Sequence, residues 1–384
     1  MSVYLDCAAT TPTDSRVAEL VTRYLIEDFG NAGSRTHDFG RRAREAVETA
    51  RQQIACALGA EVDEVIFTSG ATESDNLALL GLAPFGQRTH RKHVISTRIE
   101  HRAVLEPLKV LAARGFDVEL LEPTPGGWVS PQAVRAALRP DTLLVSVMHA
   151  NNETGVIQPI TEIAEALLGH TAFFHVDAAQ GFTKVPGLAH SRIDLVSVNA
   201  HKIFGPKGVG ALITRKRGSE YPPLTPLQFG GGQERGLRSG TRPVALIAGF
   251  GMAVQLASDE WTERRRCCEA FRDQALRGLA GLCPQINGDP NRSLPHILNL
   301  SFAGIESEAA IKALDGVIAV SNGPACSDTY RPSHVLAAMG LPDDRIAGAL
   351  RLSWCHTTPP VDWNLISDRL SSLVAGNARR TSNI

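Results

Sequence analysis

Between about residues 60 and 215 the chain alternates short, nearly continuous apolar runs with stretches of helical period. The runs EVIFTSG (64–70), HVIST (93–97), LLVSVM (143–148), AFFHVD (172–177), IDLVSVN (193–199) and GALIT (210–214) predict strands. LEPLKVLAARG (105–115) predicts a helix closed by glycine. Strands apolar on both faces and separated by helices predict an α/β fold, with a mostly parallel sheet between helices. Ligands of such sheets bind beyond the carboxyl ends of the strands.

The pattern then changes. One long helix is predicted over about 244–279, opened by VALIAGFGMAVQLA (244–257), a stretch too short to cross a bilayer. Beyond it, HILNLSF (296–302), a helix near 306–315, VIAVS (317–321), ALRLSW (349–354) and a last helix over 361–375 suit a smaller α+β domain. The expected division is a large domain of residues 15–257 and a small one of residues 1–14 and 258–384. The segment 218–241 is rich in proline and glycine and reads as a long structured loop, a common place for function.

Composition narrows the classes. With 43% hydrophobic and 21% charged residues in 384, the chain can bury a sizeable core. A net charge of −1 gives no general attraction to nucleic acid or acidic membranes, so neither is expected as a direct partner. The basic run Arg41–Arg44 reads as the solvated face of a helix. The seven cysteines, Cys7, Cys56, Cys267, Cys268, Cys283, Cys326 and Cys355, show no paired spacing and no CxxC, so neither a disulfide framework nor a zinc site is expected. Free thiols and an N-terminus without a basic, apolar leader suit the cytoplasm.

Polar clusters gather where strands end. FTSGATESDNLALL (67–80) reads as strand, small-residue turn and helix, and the free N–H groups of such a turn bind anions. Asp177 ends an apolar strand, where an acid needs a cation or hydrogen bonds, and Gln180 follows three residues on. His101 stands where a strand gives way to a helix, and HANNETGV (149–156) puts amides at another strand end. Each has an ordinary explanation: a capped helix, an ion pair, a cap, a tight asparagine turn. Lys202, in SVNAHKIFGPKGVG (197–210), gives the set a common purpose. A lysine Schiff base with an acidic partner for the pyridine nitrogen is the protein's usual contribution to pyridoxal-phosphate chemistry.

The motifs YLDCAATTP, FTSGATESDN, EHRAVLEP, NNETGV, VDAAQ, AHKIFGPKGVG, GGGQERGLRSGT and SNGPACSDTYRPSHVL cover nearly the whole chain. Together they resemble the cysteine desulfurases, fold-type-I pyridoxal-phosphate enzymes related to aminotransferases; the last motif, with its cysteine, separates the two. The resemblance implies pyridoxal 5'-phosphate as cofactor, L-cysteine as substrate, a homodimer, and a sulfur-acceptor protein as partner. It implies that Lys202 binds the cofactor and moves the Cα proton, that Asp177 keeps the ring nitrogen protonated, and that Gln180 bonds the ring hydroxyl. By the same resemblance His101 stacks on the ring and shuttles protons, and Ala71, Thr72, Asn199 and His201 lie at the phosphate. Thr241 would reach the neighbouring subunit's phosphate, while Asn152 and Arg351 would hold the substrate. Cys326 would attack the substrate sulfur and carry it as a persulfide.

This sequence departs from the family pattern in places. Asn199 stands where serine is usual, GNAGSRTH (30–37) lacks a proline and a serine, and Pro324 precedes Cys326 on a span one residue shorter than expected. Pro324 fixes φ and removes an N–H, which predicts a stiff catalytic loop. Of the other thiols, Cys7, Cys56 and Cys355 are expected in the core, and Cys267 and Cys268 on a helix. An aminotransferase would share Lys202 and Asp177 without needing Cys326. A selenocysteine lyase would prefer selenium, and a non-enzyme sulfur scaffold would hold no cofactor. The acceptor stays open among an iron–sulfur scaffold, a tRNA-thiolation enzyme and a DNA-phosphorothioation complex.

Overall fold

The computed structural model describes residues 2–322 and 332–381, with side chains to Leu373. Cys326 and Pro324 lie outside the described residues. The strands are β1 Val3–Tyr4, β2 Val65–Thr68, β3 His93–Thr97, β4 Asp117–Leu121, β5 Thr142–Met148, β6 Phe173–Asp177, β7 Leu195–Asn199, β8 Gly210–Thr214, β9 Gln285–Ile286, β10 Ile297–Ser301, β11 Ile318–Ala319 and β12 Ala349–Ser353. The helices are α1 Ser15–Ile26, α2 Asp38–Leu58, α3 Ala71–Arg88, α4 Arg102–Ala113, α5 Pro131–Ala137, α6 Ile160–Ala166, α7 Val244–Asp259, α8 Trp261–Leu279, α9 Ser307–Leu314, α10 His334–Ala338, α11 Asp343–Ala347 and α12 Trp363–Thr381.

Seven strands form the main sheet in the order β2-β8-β7-β6-β5-β3-β4. Every neighbouring pair from β7 to β4 is parallel, while β8 runs antiparallel to both β2 and β7. Strands β2, β3, β5, β6, β7 and β8 are buried at every position, which explains why they read as unbroken apolar runs. The edge strand β4 escaped the sequence pattern because it is half exposed and carries Asp117 and Glu119. Charge on an edge discourages pairing with another chain.

A second core lies at the other end of the chain. Strands β12-β10-β9 pair antiparallel, and Leu5 from the N-terminus joins Leu298, Leu352, Trp354, Phe271 and Ile366 in one buried cluster. The N-terminal segment crosses to this core through β1, parallel to β11, and a parallel bridge between Asp6 and Ser353.

The single helix expected over 244–279 is two helices, α7 and α8, parted at Glu260. Neither proline nor glycine marks the break. The cause is tertiary: Ile247, Phe250 and Val254 of α7 belong to the main-sheet core, while Phe271, Ala275 and Leu279 of α8 belong to the second. Glu260 is held at the corner by Arg16 at 2.7 Å and Arg264 at 2.9 Å. Two thiols also differ from expectation. Cys56 is exposed because it falls off the buried stripe of α2, and Cys355 is half-buried, whereas Cys7 is buried. Cys267 and Cys268 lie on α8 as expected.

Trp354 joins β12 to α8. It is fully buried, packs at 5.0 Å from the Phe271 ring, and donates from Nε1 to the Cys268 carbonyl at 3.0 Å. Trp354→Ala should cost about 3–5 kcal/mol through the cavity it leaves. Denaturant unfolding followed by far-UV circular dichroism checks this; a loss below about 1 kcal/mol would contradict the packing described.

Candidate active site

The site grows from the carboxyl end of β6. Asp177 is buried there, and its Oδ1 accepts from the Ala179 amide at 2.9 Å. Two residues earlier on the same face, His175 bonds Ser146 Oγ at 2.8 Å and Ser197 Oγ at 3.0 Å. Beneath them lies Asp75 of α3, fully buried, 3.5 Å from His175 Nε2. Burial, followed by the nearby Asp75 charge, pushes Asp177 above the usual carboxylate range; the Ala179 N–H, His101 and Lys202 oppose the rise. Burial likewise raises Asp75, to about 7, and lowers His175, to about 4. Two acids therefore share a water-poor space with a neutral imidazole between the serines.

The turn from β2 into α3 supplies the anion-binding end. Gly70 caps α3 with φ of 154°, and Ala71 and Thr72 open the helix. Its path needs a glycine opposite: a Cβ on Gly210, at the start of β8, would stand 2.6 Å from the Gly70 Cα. Asn199 ends β7 with its Oδ1 buried and unpartnered among the described residues. His201 Nδ1 lies 3.1 Å from Thr10 Oγ1, and the His201 carbonyl accepts from the Thr11 amide at 3.0 Å. Burial, followed by the charge of Lys202, brings His201 down to about 4, so this ring offers a neutral face.

Lys202 and His101 complete the centre. Lys202 is half-buried in the turn after β7, and its charge acts on His101, Asp177 and Asp75. His101 caps α4, its Nδ1 accepting from the Ala103 amide at 3.1 Å. Burial, then Lys202, holds it below the ordinary histidine value. The asparagine turn divides its work between two neighbours. Asn151 builds it: Oδ1 accepts from the amides of Glu153 at 2.8 Å and Thr154 at 2.9 Å. The neighbouring Asn152 accepts from Arg351 Nη1 through its carbonyl at 2.9 Å.

Arg351 projects from β12 and is 2% exposed, so its charge must be met: Nη2 donates to Asp6 Oδ1 at 2.7 Å. Its Nε has no partner among the described residues. Gln180 donates through Nε2 to the Ala8 carbonyl at 2.8 Å and leaves Oε1 as a buried, unpartnered acceptor. Thr241 stands apart, exposed at the end of the loop 228–241. That loop is tied down by Glu234, which takes Arg51 at 2.8 Å, the Phe67 amide at 3.0 Å and Arg242.

Several contributors carried no sequence signal of their own. Asp6 and Ala8 orient Arg351 and Gln180 from 345 and 172 positions away. Glu100 is fully buried, accepting from Thr97 at 2.7 Å and the Met148 amide at 3.0 Å. Its carbonyl meets His334 Nε2 at 3.0 Å, and Ser333 donates to Glu153. A buried glutamate beside a histidine in EHRAVLEP was a visible hint; the other partners are set by tertiary structure.

Buried Asp177, the opening of α3 and the unpartnered atoms on Gln180, Asn199 and Arg351 fit pyridoxal phosphate: an acid for the ring nitrogen, an N-terminal turn for the phosphate, and polar atoms awaiting a ligand. Comparison with known proteins agrees. The family model for aminotransferase class V matches residues 3–362. Cysteine desulfurase IscS of Vibrio campbellii is 45% identical over 363 residues, 93% of this chain and 89% of the relative. The solved structure of DndA from Streptomyces lividans is 51% identical with a TM-score of 0.80, covering 92% of this chain and 99% of that one. SspA in complex with cysteine is 35% identical with a TM-score of 0.82, covering 94% and 100%. The chain belongs to the cysteine desulfurase family of aminotransferase class V, and its cofactor is pyridoxal 5'-phosphate.

Burial drives Glu100 up to about 8, against the hydrogen bonds from Thr97 and Met148 that favour its charged form. The folded protein thus keeps a proton that the unfolded chain releases at lower pH, and this group's contribution falls as pH rises toward 8. Glu100→Gln mimics the protonated acid. Its stability relative to wild type should grow from about pH 5 to about 8 and then level off, as read by urea midpoints across pH. A pH-independent difference would contradict the neutral assignment.

Proposed function

We propose that these residues divide the desulfurase reaction as follows. Arg351 grips the substrate carboxylate, and Asn152 lies beside it. Lys202 binds the cofactor and moves the Cα proton. Asp177 keeps the ring nitrogen protonated, Gln180 Oε1 meets the ring hydroxyl, and His101 covers the ring and relays protons. Ala71, Thr72, Asn199 and His201 surround the phosphate. When bound, the cofactor takes electron density from the substrate Cα and so weakens the Cβ–sulfur bond. The Cys326 thiolate attacks the substrate sulfur; the carbon–sulfur bond breaks, a sulfur–sulfur bond forms, and the carbon takes a proton to leave as alanine.

The single observation that carries this reading is the gathering of buried Asp177 and the unpartnered Gln180 Oε1 and Asn199 Oδ1 at the ends of the central strands, followed at once by the turn that holds Lys202. The anchors on either side of the cysteine segment support the role of Cys326. Ser321 pairs with Arg351, donating to its carbonyl at 3.3 Å and accepting from its amide at 2.7 Å. Ser333 and His334 bond Glu153 and Glu100. The described residues on either side of it thus pack against Arg351 and against the neighbours of Asn152 and His101. Residues 1–14 and 258–384 form the unit that delivers both Arg351 and this cysteine.

The dimer reading is supported by apolar side chains left in water. Phe229, 79% exposed, lies on the Thr241 loop, and Leu25, Ile26, Phe29 and Phe39 form a second exposed group. A twofold pair would cover them and let each Thr241 reach its neighbour's phosphate. As sulfur acceptor, a partner of the kind that serves DndA-like chains is favoured over one serving IscS-like chains, because identity is 51% to DndA against 45% to IscS.

The following measurements test this reading. Lys202→Ala should lose the visible absorbance of the bound cofactor and all turnover; a yellow, active variant would sink the assignment. Cys326→Ser should keep the cofactor and bind L-cysteine yet form no persulfide. Sedimentation should show a dimer, and mixing inactive Lys202→Ala with Thr241→Ala should restore part of the activity through hybrid dimers. Labelled persulfide offered to an iron–sulfur scaffold, a tRNA-thiolation enzyme and a DNA-phosphorothioation complex identifies the acceptor.

A further inference from the structure

A cleft has Lys202, Cys7, Cys268, Cys355, Lys184 and His296 among its lining residues. The desulfurase reaction as described uses none of the three thiols. Cys355 is half-buried and open to the cleft, while Cys7 is 3% exposed. The backbone sets them side by side: the Cys7 amide donates to the Ser353 carbonyl at 3.0 Å, next to the Asp6–Ser353 bridge. Both side chains line the same cleft, and the Cys355 sulfur lies 3.2 Å from Thr357 Oγ1 and 3.5 Å from Thr358 Oγ1. The neighbouring Cys7 thiol, against burial and with help from the threonine hydroxyls, brings Cys355 down to about 5, while Cys355 drives Cys7 upward. An accessible thiolate beside a buried thiol is the arrangement of an attacking and a resolving cysteine.

The flanks of Cys7 give the pair a consequence. Asp6 Oδ1 holds Arg351 at 2.7 Å, and the Ala8 carbonyl holds Gln180 at 2.8 Å. Ala8 is fixed in turn by its amide on Ser353 Oγ at 2.8 Å. Movement of Cys7 by even a fraction of an ångström therefore acts on both the substrate and the cofactor contacts.

We propose that Cys355 and Cys7 form an oxidation site for small hydroperoxides, and that the disulfide they form weakens substrate binding through Asp6 and Ala8. The second half rests on the reading that Arg351 and Gln180 hold substrate and cofactor. In the first step the Cys355 thiolate attacks a peroxide oxygen. The O–O bond breaks, an S–O bond forms, the sulfur is oxidised by two electrons, and hydroxide or alkoxide leaves. In the second step the Cys7 sulfur attacks the Cys355 sulfenyl sulfur; the S–S bond forms and water departs with the Cys7 proton. A disulfide fixes its Cβ atoms about 4 Å apart, and on the Cys7 side that constraint falls between Asp6 and Ala8, the residues that hold Arg351 and Gln180.

The test uses Cys326→Ser holoenzyme, which removes the reactive thiol of the sulfur-transfer step. Hydrogen peroxide treatment, alkylation and peptide mass spectrometry should reveal a Cys7–Cys355 peptide two hydrogens lighter than its reduced parts. L-Alanine, which has the amine and carboxylate but no thiol to reduce the disulfide, should bind about tenfold more weakly when titrated against the visible spectrum, with affinity restored by a phosphine reductant. The added Cys355→Ser or Cys355→Ala substitution should bind L-alanine as before and resist peroxide. No Cys7–Cys355 peptide, a linkage to Cys268 instead, or a linkage that leaves affinity unchanged would each overturn the proposal. Unoxidised Arg351→Ala, expected to lose L-cysteine affinity, separately checks the reading on which the second half rests.

Discussion

The arrangement depends on one costly placement, a carboxylate buried at the end of the central strand β6 with a second acid close by. Asp177 and Asp75 each lose solvation, and the Asp75 charge raises the proton affinity of Asp177 further. The protein relieves this only in part, through one backbone N–H on Asp177 and the opposing charges of His101 and Lys202. In the role proposed for Asp177, a protonated pyridine nitrogen would supply the missing positive charge, and a neutral ring would leave the cost of burial in place.

Around that centre, the two cores contribute different things. The main sheet offers strand ends: Asp177 from β6, Asn199 from β7, and the turn after β2 that opens α3. These positions are rigid because their strands are buried on both faces. The second sheet offers Arg351, whose charge is directed by Asp6 and by the Asn152 carbonyl rather than by solvent. The N-terminal segment threads between the cores, steadying His201 through Thr10 and Thr11, Gln180 through Ala8 and Arg351 through Asp6. A few residues before α1 thus set the spacing of His201, Gln180 and Arg351.

Much of this was legible in the sequence, for a physical reason. Fully buried parallel strands must be continuously apolar, so an acid such as Asp177 or an amide such as Asn199 at a strand end stands out. The half-exposed edge β4 has no such contrast, and the break at Glu260 has no local cause, so both stayed hidden. The roles given to Lys202, His101 and Arg351 rest on the resemblance of their motifs. Residue types could not show that Asn151 builds the turn while its neighbour Asn152 presents a carbonyl to Arg351, because both stand in the same dipeptide. Cys56 and Cys355 were placed in the core by composition alone, and the helix stripe and the cleft decide otherwise.

The long sequence separations have a last consequence. Asp6 to Arg351 spans 345 positions, and Gln180 to Ala8 spans 172. Such contacts exist only after both cores have formed and the N-terminal segment has docked between them. Cofactor and substrate therefore bind a state that the unfolded or half-docked chain cannot imitate, and they stabilise it by mass action in proportion to their occupancy. The coupling also runs the other way. A change that loosens the N-terminal segment, or ties Cys7 elsewhere, reaches Arg351 and Gln180 without touching the ring or Lys202. The contacts of Arg351 and Gln180 can then move while the main sheet, and the turn that opens α3, stays where it is.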